Sequence, residues 1–132
     1  MKLIQFFYQK MKDNSQNLGK NGEEEAVKYL EKNGLKIIEL NWRFGKLEID
    51  IIAKDKEELV IVEVKTRATD AFGEPEVFVD KKKQKRLIKA ANAYIHQVDF
   101  NGETRFDVVS VLEKNSKLIV KHIPNAFAPS II

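Results

Sequence analysis

The chain has 132 residues, 43% hydrophobic and 33% charged, a balance that fits one soluble, globular domain with its own core in preference to a disordered chain. Cysteine is absent, which excludes disulfides, thiolate metal centres and cysteine nucleophiles and fits a reducing cytoplasm. Lys+Arg number 23 and Asp+Glu 20, so net charge alone argues little for a polyanionic partner, and the placement of the cations carries more information.

Residues 1–17 begin with an apolar run, Leu3, Ile4, Phe6, Phe7, Tyr8 and Met11, interrupted by Gln5, Gln9 and Lys10. The run is too short and too polar for a signal peptide or a membrane span. It reads as an amphipathic extension that docks on the domain or on a second copy of it, as in a homodimer. A helix is expected over 18–33, where Leu18, Gly22, Ala26 and Leu30 recur every four residues and Gly34 supplies the stop. Strands are expected at 36–44, at 47–53 (LEIDIIA) and at 59–66 (LVIVEVKT), the last two joined by a polar turn at 54–58. Residues 68–75 read as a loop punctuated by Gly73 and Pro75.

A second helix starts after Asp80, a good N-cap, with Leu87, Ala90, Ala91, Tyr94, Ile95 and Val98 as its apolar stripe and Asn101-Gly102 ending the region. Two further strands are expected at 105–112 and 118–123, followed by an irregular tail at 124–132. The order α, β, β, β, α, β, β predicts an α/β domain over 18–123, with one mixed central sheet flanked by helices.

Two strand motifs carry the chemistry. Alternation puts Glu48 and Asp50 on one face of their strand, with Ile49 and Ile51 pointing into a core, and puts Glu63 and Lys65 together on the next strand. If the loop of that turn is 54–57, Ala53 pairs with Glu58, Asp50 lies opposite Ile61 and Glu48 opposite Glu63, so all four polar side chains project on one side of the sheet. Clustered carboxylates repel, and a hard divalent cation such as Mg²⁺ relieves that repulsion, taking oxygen ligands and keeping waters. A lysine beside it can orient or help deprotonate an attacking water. An ordinary solvent-exposed strand face is the competing reading. The shared face of two adjacent motifs favours a site.

Other candidates are less specific. Glu23 sits at the edge of the first helix's apolar stripe, and spacing alone makes it an ordinary helix carboxylate; Glu24 and Glu25 read as solvent-facing. The second helix opens with Lys81, Lys82, Lys83, Lys85 and Arg86, with Lys89 one turn on. Cations there oppose the helix dipole, and the run fits a phosphate-binding face and a solvated polar face equally well; Arg43, Lys46 and Arg67 extend the basic surface. His96 and His122 have no metal-ligand spacing and read as structural. Phe72 and Trp42 read as core aromatics in preference to base-stacking ones.

The E-I-D…E-V-K pattern resembles the PD-(D/E)XK nuclease superfamily, which has the restriction-endonuclease-like fold. More closely, the chain resembles the YraN family of uncharacterised bacterial proteins, through GEEEA (22–26), NWRFGKLEIDIIA (41–53), VEVKTR (62–67), FGEP (72–75), the KKKQKRL segment and RFDVV (105–109). It is also similar to archaeal Holliday-junction resolvases, dimeric enzymes that add a helix glutamate to the strand motif. The resemblance implies a restriction-endonuclease-like fold, with Asp50 and Glu63 as Mg²⁺ or Mn²⁺ ligands, the Val64 carbonyl as a third, Lys65 as the catalytic lysine, Glu23 as an active-site member and Glu48 in support. It further implies hydrolysis of DNA, branched or otherwise structured. Three departures stand out: Ile49 replaces a frequent proline, Leu47 a frequent glycine, and Asn125 an expected aspartate. A nucleic-acid-binding module without catalysis, and a protein-interaction factor that retains the fold, are the rival readings.

Overall fold

The computed structural model describes residues 18–68 and 79–129. The N-terminal extension, most of the 68–75 loop with Phe72 and the FGEP motif, and the last three residues lie outside them. The elements are α1 (Leu18–Lys32), β1 (Lys36–Phe44), β2 (Leu47–Asp55), β3 (Glu58–Ala68), α2 (Lys81–Val98), β4 (Thr104–Lys114) and β5 (Lys117–Phe127). They form one five-stranded sheet in the order β1-β2-β3-β4-β5. Neighbours are antiparallel except β3 and β4, which run parallel because α2 carries the chain back across the sheet. This is the mixed, helix-flanked α/β sheet expected from the element order, and it is consistent with a nuclease-like fold.

Each helix covers one face. Ala26, Val27 and Leu30 of α1 pack with Ile51, Ala53, Val60, Val62, Val109 and Val111. Leu87, Ala90, Ala91 and Tyr94 of α2 pack with Ile52, Leu59, Ile61, Phe106 and Val108. On β3 the even residues face α1 and the odd ones face α2, the period-two pattern of a strand buried on both sides. Each fully buried Val, Leu or Ile contributes about 1.5–3 kcal/mol of hydrophobic stabilisation. Gly22 lets α1 approach closely, since a Cβ there would collide with the Thr66 Cγ2 at the far end of β3.

The connections follow from local chemistry. Gly34 takes φ +93, and the Leu35 and Gly34 amides donate to the Leu30 and Glu31 carbonyls, a Schellman closure of α1. Helix α2 is capped by Asp80, whose side chain accepts from the Lys83 amide at 2.8 Å. It ends on Asp99 in the left-handed region at φ 54, ahead of the expected Asn101-Gly102.

Two expectations need correction. The β2–β3 turn is tighter than 54–57: Asp55 pairs with Glu58 and Ala53 with Val60, leaving Lys56 and Glu57 as the turn, with Lys56 at φ 58. Strand β5 continues into the expected irregular tail as far as Phe127. There the Asn125 amide donates to Asp107 at 2.9 Å and Phe127 stacks on Phe106 at 5.0 Å.

Candidate functional site: a carboxylate pair under a basic helix

The tight turn shifts the β2–β3 register by two residues from the expected one. An even shift keeps every side chain on its face. Continued past the last pair, Ile51 with Val62, it sets Asp50 level with Glu63. The regular ladder stops there because the Asp50 carboxylate itself takes the next donor: the Val64 amide bonds Asp50 Oδ2 at 2.8 Å. In a strand the N–H and C=O of one residue emerge on the same edge. The Val64 carbonyl therefore also points toward β2, beside Asp50 and beyond the end of the pairing.

The kink breaks the simple alternation expected of β2. Ile51 joins the core under α1, whereas Ile49 joins the core under α2; the two do not share a face. Glu48 is drawn to β1, where its carboxylate lies 3.1 Å from the Arg43 guanidinium, and it stands outside the carboxylate pair. Arg43, expected on a nucleic-acid surface, is held in that ion pair with its side chain 72% exposed.

Glu63 is buried. Its Oε2 lies 3.5 Å from the Lys83 ammonium of α2, which puts it on the α2 side of the sheet. Lys65 follows at the next position on that face and pairs across the parallel ladder with the buried Ser110. Burial pushes the Asp50 carboxyl up to about 7; repulsion from Glu63 adds to this, the Val64 hydrogen bond opposes it, and Glu48 contributes a smaller repulsion. Two carboxylates in a poorly solvated place resist ionising together. Among the described residues no group of three or more acid, histidine or cysteine side chains is gathered for a metal. The donor set is two carboxylates and a backbone carbonyl, enough for Mg²⁺, which binds through one or two carboxylates and retains water.

The remaining candidates are spread around this pair. Glu23 is half-buried on α1, one residue beyond the Gly22–Thr66 contact, and α1 covers the opposite face of the sheet. Glu24, expected in solvent, is buried. Lys81, Lys82, Lys85, Arg86 and Lys89 are exposed along α2, Lys46 is exposed in the β1–β2 turn, and Arg67 is exposed near the end of β3. Lys83 departs from the rest of the basic run by turning onto Glu63. Its place four residues before Leu87, on the buried stripe, is the sequence signal for this.

A second polar cluster lies on the α1 side of the sheet, from the start of β3 to Val62, which pairs with Asp107. The fully buried Asp107 side chain accepts from Arg105 Nε and Nη2 at 3.0 and 3.1 Å and from the Asn125 amide, and it meets His122 Nε2 at 2.7 Å. Burial pushes its carboxyl up, but these hydrogen bonds outweigh that and hold it below the usual range. Arg105 also reaches Asp55 and Glu58. The cluster ties β4 to β5 and to the β2–β3 hairpin, which gives RFDVV and His122 a structural role.

Residues 22–111 match the uncharacterised protein family UPF0102. A UPF0102 protein of Bacteroides thetaiotaomicron is 46% identical over 114 residues, spanning 86% of this chain and 94% of the relative. One of Christiangramia forsetii is 44% identical over 110 residues, spanning 83% and 92%. A third, from Persephonella marina, is 43% identical over 110 residues, spanning 83% and 91%. The chain belongs to the uncharacterised protein family UPF0102, the YraN family of the sequence resemblance.

Proposed function

We propose that the protein is a Mg²⁺- or Mn²⁺-dependent endonuclease that hydrolyses DNA phosphodiester bonds in branched or otherwise structured DNA. One observation carries the reading: Asp50 and Glu63 meet at the point where the β2–β3 ladder ends, with the Val64 backbone turned to the same place. Asp50, Glu63 and the Val64 carbonyl would hold the ion, which when bound supplies charge neutralisation at the phosphate and a water of lowered pKa.

The chain's own groups do the rest. Lys65 stands beside Glu63 on the same face and orients the attacking water. Lys83 is within reach of Glu63 and can exchange that carboxylate for a phosphate oxygen. The exposed cations of α2, with Lys46, Arg43 and Arg67, hold the backbone, so affinity falls as salt rises. Glu48 adds negative charge near Asp50. The tests are cleavage of a panel of branched, flapped and duplex DNA with Mg²⁺ or Mn²⁺, and loss of that cleavage in Asp50→Asn. A wild-type chain that cuts nothing, or an Asp50→Asn chain that cuts equally well, overturns the catalytic reading.

The Lys83–Glu63 ion pair, which occupies one of the two carboxylates, favours a second reading, a DNA-binding module without catalysis. Its mark is salt-dependent binding that survives EDTA and Asp50→Asn, with no cleavage.

A further inference from the structure

Near the carboxylate pair an aromatic surface is open to solvent. Trp42 and Phe44 occupy alternate positions at the end of edge strand β1, with ring planes 4° apart and centroids at 6.3 Å. Tyr94 of α2 meets Trp42 edge-on at 5.3 Å, so the core fixes the orientation of the indole. Phe44 is 50% exposed, an unusual place for a large apolar ring at a hairpin end. Gly45, at φ +60, makes the two-residue turn that presents it, as the first central position of a type II′ turn requires. Exposed Arg43 and Lys46 flank the ring in sequence.

Trp42 and Leu47 pack with the core under α2, the side of the sheet that carries Glu63 and Lys83. Phe44 pairs with Leu47, and from there to Asp50 is about 10 Å along the strand at about 3.4 Å per residue. That is on the order of one or two nucleotides.

We propose that Trp42 and Phe44 form a stacking shelf for an unpaired nucleobase close to the cleaved phosphate, which makes the preferred substrate a nucleic acid with a single-stranded or displaced nucleotide at that point. The inference rests on the nucleic-acid reading above. A pre-oriented aromatic pair next to cations is the chemistry that recognises a base on a polyanionic strand, and a fully paired duplex keeps its bases inside the stack.

Trp42 is the single tryptophan of the chain, so its fluorescence reports directly on the shelf. The experiment titrates wild type and Phe44→Ala, in EDTA and low salt, with a single-stranded oligonucleotide and with a blunt duplex of equal length. The expected results are quenching by the single strand well beyond that by the duplex, about tenfold weaker single-strand binding in Phe44→Ala, duplex binding within about twofold of wild type, and recovery in Phe44→Tyr. Circular dichroism checks that the variants fold.

Equal quenching by both probes, or an unchanged single-strand affinity in Phe44→Ala, overturns the shelf and leaves the nuclease reading standing. Absence of binding to either probe overturns both. Self-association that disappears in Phe44→Ala, without quenching by nucleic acid, assigns the ring to a second copy of the chain and also overturns the shelf.

Discussion

Replacing Asp50 with asparagine isolates the carboxylate pair from every other acid in the chain. In the folded protein Asp50 keeps its proton up to about pH 7, against 3.8 for an ordinary aspartate. Between those values the folded state binds more protons than the unfolded chain, so stability falls as pH rises. Asp50 therefore contributes its full stabilisation below about pH 4 and loses it as the pH climbs through 7. The distance from 3.8 to about 7 corresponds to at most about 4 kcal/mol. Asparagine keeps an oxygen for the Val64 amide but carries no titrating proton, so Asp50→Asn lacks this component. The assay is urea denaturation of both chains from pH 4 to 8. At an m-value of about 2 kcal/mol per molar, the variant gains up to about 2 M in midpoint relative to wild type across that range. At pH 8, Mg²⁺ raises the wild-type midpoint by binding the ionised pair and leaves the variant unmoved. Parallel pH profiles for the two chains would refute the placement of Asp50 against Glu63, and an equal Mg²⁺ response would refute the pair as the metal site.

Three further outcomes are expected. Asp107→Ala leaves Arg105 and His122 without their buried partner and destabilises the fold by about 3–5 kcal/mol in denaturant titration; because its carboxyl is held low, the wild-type stabilisation it provides is present above about pH 4 and is lost as the pH falls further. Lys65→Ala lowers cleavage by about 10²- to 10⁴-fold while DNA affinity, measured by anisotropy, stays within a few-fold. Neutralising Lys81, Lys82 and Lys85 together weakens DNA binding and reduces the slope of log affinity against log salt by about 0.9 for each phosphate contact removed.

The sequence made the element order legible because each strand and helix carries its own period, and Leu47–Asp55 and Glu58–Ala68 are rich in β-branched residues. The turn between them was less legible. A two-residue hairpin needs left-handed backbone, and here a lysine adopts it, Lys56 at φ 58, without the Asn-Gly or Asp-Gly signal that marks such turns. The resulting error in register was even, so Asp50, Glu63 and Lys65 kept their common side and only the pairing moved, bringing Asp50 level with Glu63. Alternation failed at Ile49 for a different reason. It assumes an unbroken strand period, whereas β1 and β2 both change face here: Asn41 lies at φ 52 between Leu40 and Trp42, which pair with Ile51 and Ile49, and Asp50 takes the Val64 donor with its side chain.

The residues that depart from the pattern implied by the resemblance have packing and backbone roles of their own. Ile49 is fully buried under α2, a role in packing that a proline ring would not fill in the same way. Leu47 packs at the edge of that core while Gly45 makes the turn. Asn125 sits at φ 53, a region that Asn and Asp tolerate better than other side chains, and it offers Asp107 its backbone amide. An aspartate at 125 could hold the same backbone bond, so the change from the expected residue leaves the Asp107 anchor intact. Each of these residues suits the backbone path that sets β2 and β5 in place in this chain. The carboxylate pair depends on that path more than on any one neighbouring residue, because the place where the β2–β3 ladder ends is also where Asp50 and Glu63 meet.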